Sequence, residues 1–235
     1  MITSLDGKLL SQRWNPSPGQ PEVDFVEHHY EATAATLGGE GWIVGRRTMS
    51  DYLEERRVPE RPSAQAGVRA CHHGAQGDRH LAVLFDPAGR LWHESPTLEG
   101  DHVLAVLAES VDDAYLQHLR AIGVSYTFAG ADGRSPERAL ASLRRDFGVS
   151  CLLLEGGGRL NGAFMAAGLI DEVSTLICPV VDGVAGLPSI YDHQADAGRA
   201  MAGLKLISND TRADGVVWLR HEVLLAEAGS PDEPS

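Results

Sequence analysis

The sequence predicts an α/β fold: a mostly parallel central sheet with helices on both faces and an antiparallel hairpin near the C-terminus. Three observations predict it. Short, near-continuous apolar runs alternate with runs whose apolar residues recur at helical spacing. One apolar run, Leu152-Leu153-Leu154, stops on Glu155 and breaks into Gly156-Gly157-Gly158 before the next helical pattern. Two strand-like runs near the C-terminus flank a turn-rich stretch.

Taken in order, the first apolar stretch is short and ends at Asp6. Glu22 to Leu37 reads as a helix. Trp42-Ile43-Val44 is a strand closed by Gly45, and Leu81 to Phe85 is a second. Val103 to Leu107 and Val124 to Phe128 follow, the latter two separated by a helix over Asp112–Ile122 that stops at Gly123. Strands covered on both faces are expected to be apolar throughout rather than alternating, and most of these are. Ser135-Pro136-Glu137 is a helix start, with a capping hydroxyl, a proline in the first turn and an acid near the positive helix end. Leu140, Leu143 and Phe147 mark its apolar face, and Gly148 closes it. Cys151 to Leu154 is the next strand, Arg159 to Ala167 the next helix with Gly168 as its stop, and Val173 to Val181 a further strand. Leu204 to Ile207 and Val216 to Leu225 form the hairpin around Asn209–Gly215. Residues 1–225 read as one domain, and 226–235 as a disordered tail. Glu54 to His80 is polar and without period, as lids, binding loops and disordered insertions are.

Composition narrows the function. With 33 acidic and 20 basic residues the formal net charge is −13. That excess disfavours nucleic acid and anionic membranes as partners. A phosphorylated ligand would need a local cluster of positive charge. No apolar run reaches the roughly 18 residues that span a bilayer, and the N-terminus has no signal-peptide layout. Cys71, Cys151 and Cys178 form no disulfide or zinc pattern; Cys151 and Cys178, in apolar runs, are expected as buried thiols. The chain reads as cytoplasmic.

Three motifs could carry chemistry. In Gly45-Arg46-Arg47-Thr48, glycine permits a tight strand-to-helix turn and Thr48 can cap the helix or bond a phosphate oxygen. The two arginines supply the local charge, suited to the 2′-phosphate of a dinucleotide. Two solvated arginines at a helix start are the plain alternative. Gly156 to Gly162 reads G-G-G-R-L-N-G, which lacks the G-x-G-x-x-G spacing of the Rossmann fingerprint. Its glycines let backbone approach a ligand, or let strand and helix pack closely. Ser4-Leu5-Asp6-Gly7-Lys8 is the third, with a plain Asp-Gly turn as its alternative. Cys71-His72-His73 and His28-His29 lack ligand spacing and read as solvated histidines. Nucleophile-elbow, Walker and zinc-deaminase signatures are missing from the sequence.

The three motifs, in this order and with Leu169-Ile170-Asp171-Glu172-Val173 and Pro179-Val180-Val181-Asp182-Gly183, resemble the pyrimidine reductase domain of bacterial riboflavin biosynthesis. That domain is the C-terminal half of a bifunctional deaminase-reductase, in the dihydrofolate-reductase-like superfamily. The resemblance spans about residues 1–225 and implies a dihydrofolate-reductase-like three-layer fold. It implies an NADPH-dependent reductase, usually a homodimer, acting on 5-amino-6-(5-phosphoribosylamino)uracil. By that resemblance Gly45, Arg46, Arg47, Thr48, Gly156, Gly157, Gly158, Arg159 and Leu160 line the NADPH site. Asp6 and Glu155 fall at the acidic positions beside nicotinamide and substrate, with Ser4 adjacent. Asp6 is expected as a proton relay or substrate orienter, and Glu155 as a substrate hydrogen-bonding partner.

Two departures bear on the substrate. The family's Asp-Asp-Pro-x-Leu segment is replaced by Met49-Ser50-Asp51-Tyr52-Leu53-Glu54-Glu55, and its Leu-Arg-Ala approach by Tyr30-Glu31-Ala32-Thr33-Ala34. The chain also opens inside what the resemblance makes the first strand, and carries no deaminase signature. The same cofactor motifs therefore also suit a reductase of another pterin or carbonyl compound, or a nucleotide-binding protein without catalysis.

Overall fold

The computed structural model describes residues 1–9, 14, 24–60, 69–193 and 202–224. The start expected for the first helix at Glu22, the middle of the 54–80 stretch and the tail 226–235 lie outside the described residues. The described residues group into two compact units, Met1–Thr33 with Gly158–Ser235, and Ala34–Gly157.

The Ala34–Gly157 unit holds the mainly parallel sheet. Its strands are β2 (Gly41–Gly45), β3 (Leu81–Phe85), β4 (Thr97–Leu98), β5 (Asp101–Leu107), β6 (Ser125–Phe128) and β7 (Leu153–Gly156), where β1 is Ile2–Ser4 of the other unit. The order is β4-β5-β3-β2-β7, and β6 also pairs with β5. All pairs are parallel except β4 with β5. The two-residue β4 gave no periodic signal and was not expected. Every residue of β3 is buried, which is why its sequence is apolar without alternation. Two helices interleave as expected. In α3 (Asp113–Ile122) the Asp112 side chain accepts the Tyr115 N–H, and Gly123 ends the helix at φ 82°. In α4 (Pro136–Phe147) Ser135 caps the Arg138 N–H, and Gly148 ends it at φ 69°. Leu84, Leu91, Leu104, Leu107, Tyr115 and Leu119 belong to the buried set of this unit.

The other unit holds the expected C-terminal hairpin. β9 (Gly203–Thr211) and β10 (Val217–Leu224) are antiparallel. They extend a separate four-stranded sheet, β1-β8-β10-β9, in which β8 is Glu172–Cys178. β9 runs on through Asn209-Asp210-Thr211, which composition assigned to the turn. Pairing of these residues with Leu219, Trp218 and Val217 outweighs their local turn preference. β8 stops at Cys178, ahead of Pro179, three residues short of the expected Val181. The first helix contains a π turn, Val26–Glu31, that continues into α1 (Ala32–Thr36). Cys178 is buried as expected, whereas Cys151 is exposed because β7 starts only at Leu153. His29 is buried and bonded to Asp214 at 3.0 Å rather than solvated. No group of described residues could hold a metal ion, and no helix among them is long and apolar enough to cross a membrane.

Candidate active site

The parallel sheet places two of the three motifs together. β2 and β7 are neighbours, with Val44 opposite Gly156. The chain leaves β2 toward β3 on one side and returns on the other as β7, so β2 and β7 flank a topological switch point. Ligands of open α/β sheets bind outside the carboxyl ends of strands at such a point. At that end of β2 lie Gly45, Arg46, Arg47 and Thr48. Arg46 to Met49 form the one-turn helix α2, so Thr48 lies inside the helix and is not its cap. Its hydroxyl is turned to the glycine run: a Cβ built on Gly157 would lie 3.3 Å from Thr48 Oγ1 and, its chain neighbours aside, within 4 Å of no other described residue.

The three glycines have different physical reasons. Gly156 is buried at φ 100°, a conformation that side chains disfavour. Gly157 has ordinary backbone φ and nearly open space. Gly158 begins α5 (Gly158–Ala166), and a Cβ there would lie 1.9 Å from the Ser189 carbonyl oxygen. Gly162 one turn later would meet the Asp192 carbonyl oxygen at 2.3 Å. The 189–192 backbone is thus seated on α5, and the Asp192 N–H donates to the Gly158 carbonyl at 2.9 Å. Gly158 is therefore needed for packing, as the sequence alternative had it. Glycines four apart on one helix face were a legible sign of such an approach. Arg159 is exposed and Leu160 partly so in the first turn of α5.

Glu155 is the penultimate residue of β7 and partly exposed. The β2–β7 register shifts between Ile43 and Val44, so Glu155 stands at a bulge, a device that re-aims a side chain at a sheet rim. Ser4 and Asp6 are joined in the other unit. The Asp6 carboxylate accepts the Ser4 hydroxyl at 2.7 Å and the N–H groups of Asp182 and Gly183 at 3.0 Å each. These bonds, the Ser4 one foremost, bring its pKa down to about 2. The Asp6 carboxylate thus holds Ser4 and the 182–183 backbone in place.

Two groups beside Arg46 escaped the sequence reading. Its guanidinium is ion-paired with Glu55. Asp86, at the end of β3, is 1% exposed, accepts the Leu91 N–H at 2.7 Å, and leaves Oδ1 without a partner among the described residues. Burial raises its pKa. A carboxylate directly after a buried parallel strand was the available signal for Asp86. Glu55 gave none, since it lies in a stretch without period.

The RibD C-terminal domain model matches residues 1–219. The chain belongs to that family. Its members are nicotinamide-dependent reductases of riboflavin biosynthesis. Solved structures agree on the fold. A pyrimidine reductase-like protein from Corynebacterium diphtheriae is 17% identical with a TM-score of 0.67, covering 96% of this chain and 90% of that one. RibD of Acinetobacter baumannii is 21% identical with a TM-score of 0.62, over 94% of this chain and 56% of that one. Riboflavin biosynthesis reductase Rib7 of Saccharomyces cerevisiae is 13% identical with a TM-score of 0.55, over 94% and 86%.

Proposed function

We propose that this RibD C-terminal domain reduces 5-amino-6-(5-phosphoribosylamino)uracil, with NADPH as hydride donor. One observation carries the cofactor assignment: β2 and β7 are adjacent, so the arginine turn and the open glycine Gly157 meet at one switch point. Gly45, Arg46, Arg47, Thr48, Gly156 and Gly157 are the proposed phosphate-binding residues, with Arg159 and Leu160 in the first turn of α5. Arg47 is exposed and makes no ion pair with any described residue, so its charge is free to meet a phosphate. Glu155 is the proposed hydrogen-bonding partner of the substrate, and Ser4, held by Asp6, a second polar contact. A bound nicotinamide supplies the hydride, and the protein's part is to orient the accepting carbon. The altered 49–55 segment supports a second reading, the same reaction type on another pterin or carbonyl compound.

Thermal melting with saturating NADPH tests the assignment. At a hundredfold excess over Kd the gain is about 2.7 kcal/mol. It is expected to be smaller with NADH and to shrink for both-arginine and Arg47→Ala variants. A well-folded sample that neither nucleotide stabilises would end the reductase reading. Substrate-dependent NADPH oxidation, lost in Glu155→Gln, separates catalysis from mere nucleotide binding.

The proposed partner is a second copy of this chain. All nine residues of β9 are exposed, Leu204, Leu206 and Ile207 at 48–52%, and no described strand pairs with its outer edge. Apolar side chains along an unpaired edge are a liability in a monomer. Leu206→Glu with Ile207→Lys is expected to halve the mass measured by light scattering. A wild-type monomer at micromolar concentration would contradict the dimer.

A further inference from the structure

The pairing of Arg46 carries a consequence for cofactor choice that rests on the reading above. Arg46 leaves the end of β2 at the switch point, where a dinucleotide phosphate is expected, yet its guanidinium is taken by Glu55. Glu55 is not a loose surface acid. The segment around it forms a short antiparallel bridge, Glu55 opposite Leu91. The Arg56 N–H donates to the Arg90 carbonyl at 2.7 Å, and the Trp92 N–H to the Glu54 carbonyl at 2.8 Å. The next side chain, Arg56, donates from Nη2 to Asp112 and from Nε to the Gly89 carbonyl, both at 2.5 Å. The backbone thus holds Glu55 at Arg46 from both sides.

We infer that Glu55 is a specificity-determining residue: its carboxylate occupies the guanidinium of Arg46 as a phosphate would, and so weakens the reading of a 2′-phosphate. Three points support this. The pair is only partly exposed, with side-chain exposures of 30% and 35%, so it is less screened than a fully solvated one. Asp86 lies within electrostatic reach of both partners, Arg46 favouring its ionised form and Glu55 opposing it. Glu55 is thus paired with the Arg46 guanidinium, with a second acid, Asp86, within electrostatic range. Elsewhere among dinucleotide sites an acid accepts the ribose hydroxyl of the unphosphorylated cofactor while an arginine accommodates the 2′-phosphate. Here one pair contains both elements. With Arg46 engaged, Arg47 makes no ion pair with any described residue and keeps its charge for phosphate. The inference concerns the balance between phosphorylated and unphosphorylated nicotinamide cofactors, and needs no change in the reaction.

The test is direct binding of NADPH and of NADH to the full chain and to Glu55→Gln, in low salt, with Glu55→Gln repeated in an Arg46→Gln background. Glu55→Gln is expected to tighten NADPH about fivefold, the scale of a single partly exposed charge pair, and to leave NADH within twofold. The gain should vanish in the Arg46→Gln background and fade in high salt. Equal changes for both nucleotides, or no change, with wild-type binding intact, would overturn the role of Glu55 alone. Failure of every variant to bind either nucleotide would overturn the cofactor reading and this inference with it.

Discussion

Gly157→Ala will remove most of the stabilisation by NADPH while leaving the free protein's melting temperature within about 2 °C of wild type, and Gly158→Ala will lower that melting temperature by roughly 6 °C or more. The two glycines are adjacent in sequence and differ in what surrounds them. Among the described residues beyond its chain neighbours, a methyl group on Gly157 meets only the Thr48 hydroxyl, at 3.3 Å, and a hydroxyl can turn aside. It would fill the space in which backbone and a cofactor phosphate are proposed to meet. A methyl group on Gly158 meets the Ser189 carbonyl oxygen at 1.9 Å, so backbone must move. Overpacking of this kind costs about 1–3 kcal/mol and occasionally more. In a chain of this size 1 kcal/mol corresponds to about 2–4 °C. Differential scanning fluorimetry with and without NADPH reads both numbers. Equal destabilisation by the two substitutions, with the NADPH shift intact in Gly157→Ala, would show that the glycine run serves packing throughout.

This contrast also marks what the sequence could reveal. Local rules were sufficient where the structure is local. The caps at Asp112 and Ser135, and the stops at Gly123 and Gly148, lie where short-range chemistry puts them. β3 was legible because a strand buried on both faces has no polar residue to obscure it. What pairs with what was not legible. Periodicity identifies β8, β9 and β10 as strands but not that they build a sheet with β1 instead of joining β2 and β3. Asn209 and Asp210 read as turn residues because their partners, Leu219 and Trp218, are supplied by the other arm of the hairpin. In the candidate site, two of the motifs lie at the ends of the adjacent strands β2 and β7. The state of each side chain did not follow. Nothing in Gly45-Arg46-Arg47-Thr48 says that Arg46 pairs with an acid nine positions later while Arg47 pairs with no described residue. The low pKa of Asp6 likewise depends on N–H groups of Asp182 and Gly183, remote in sequence.

The largest single loss of stability is expected from Asp112→Ala, in the range of about 3–5 kcal/mol. Two interactions converge on that carboxylate, and a third holds its partner Arg56. It caps α3 by accepting the Tyr115 N–H at 2.9 Å, a contact worth about 0.5–2 kcal/mol. It accepts from Arg56 Nη2 at 2.5 Å, with side-chain exposures of 15% for Arg56 and 4% for Asp112. The Arg56 guanidinium also lies 4.1 Å from the Tyr115 ring centre. Removing one partner of a buried ion pair leaves the other charge uncompensated, which costs about 3–5 kcal/mol. Asp112→Asn keeps the cap and a neutral acceptor for Arg56, so its loss should be smaller. The pH dependence has a definite sign. Burial by itself would raise the Asp112 pKa, but the bonds from Arg56 and the Tyr115 N–H outweigh it and leave the pKa lowered. A lowered folded-state pKa gives stability that is present above the unfolded value of about 3.9 and is lost as pH falls below it toward the folded value. Urea denaturation at pH 7 and pH 3 should therefore show the gap between wild type and Asp112→Ala narrowing in acid. A gap that stays constant would mean that the cavity and the lost cap, not the charge, set the cost. A gap under 1 kcal/mol at pH 7 would mean that Arg56 finds water or another acceptor once the carboxylate is gone.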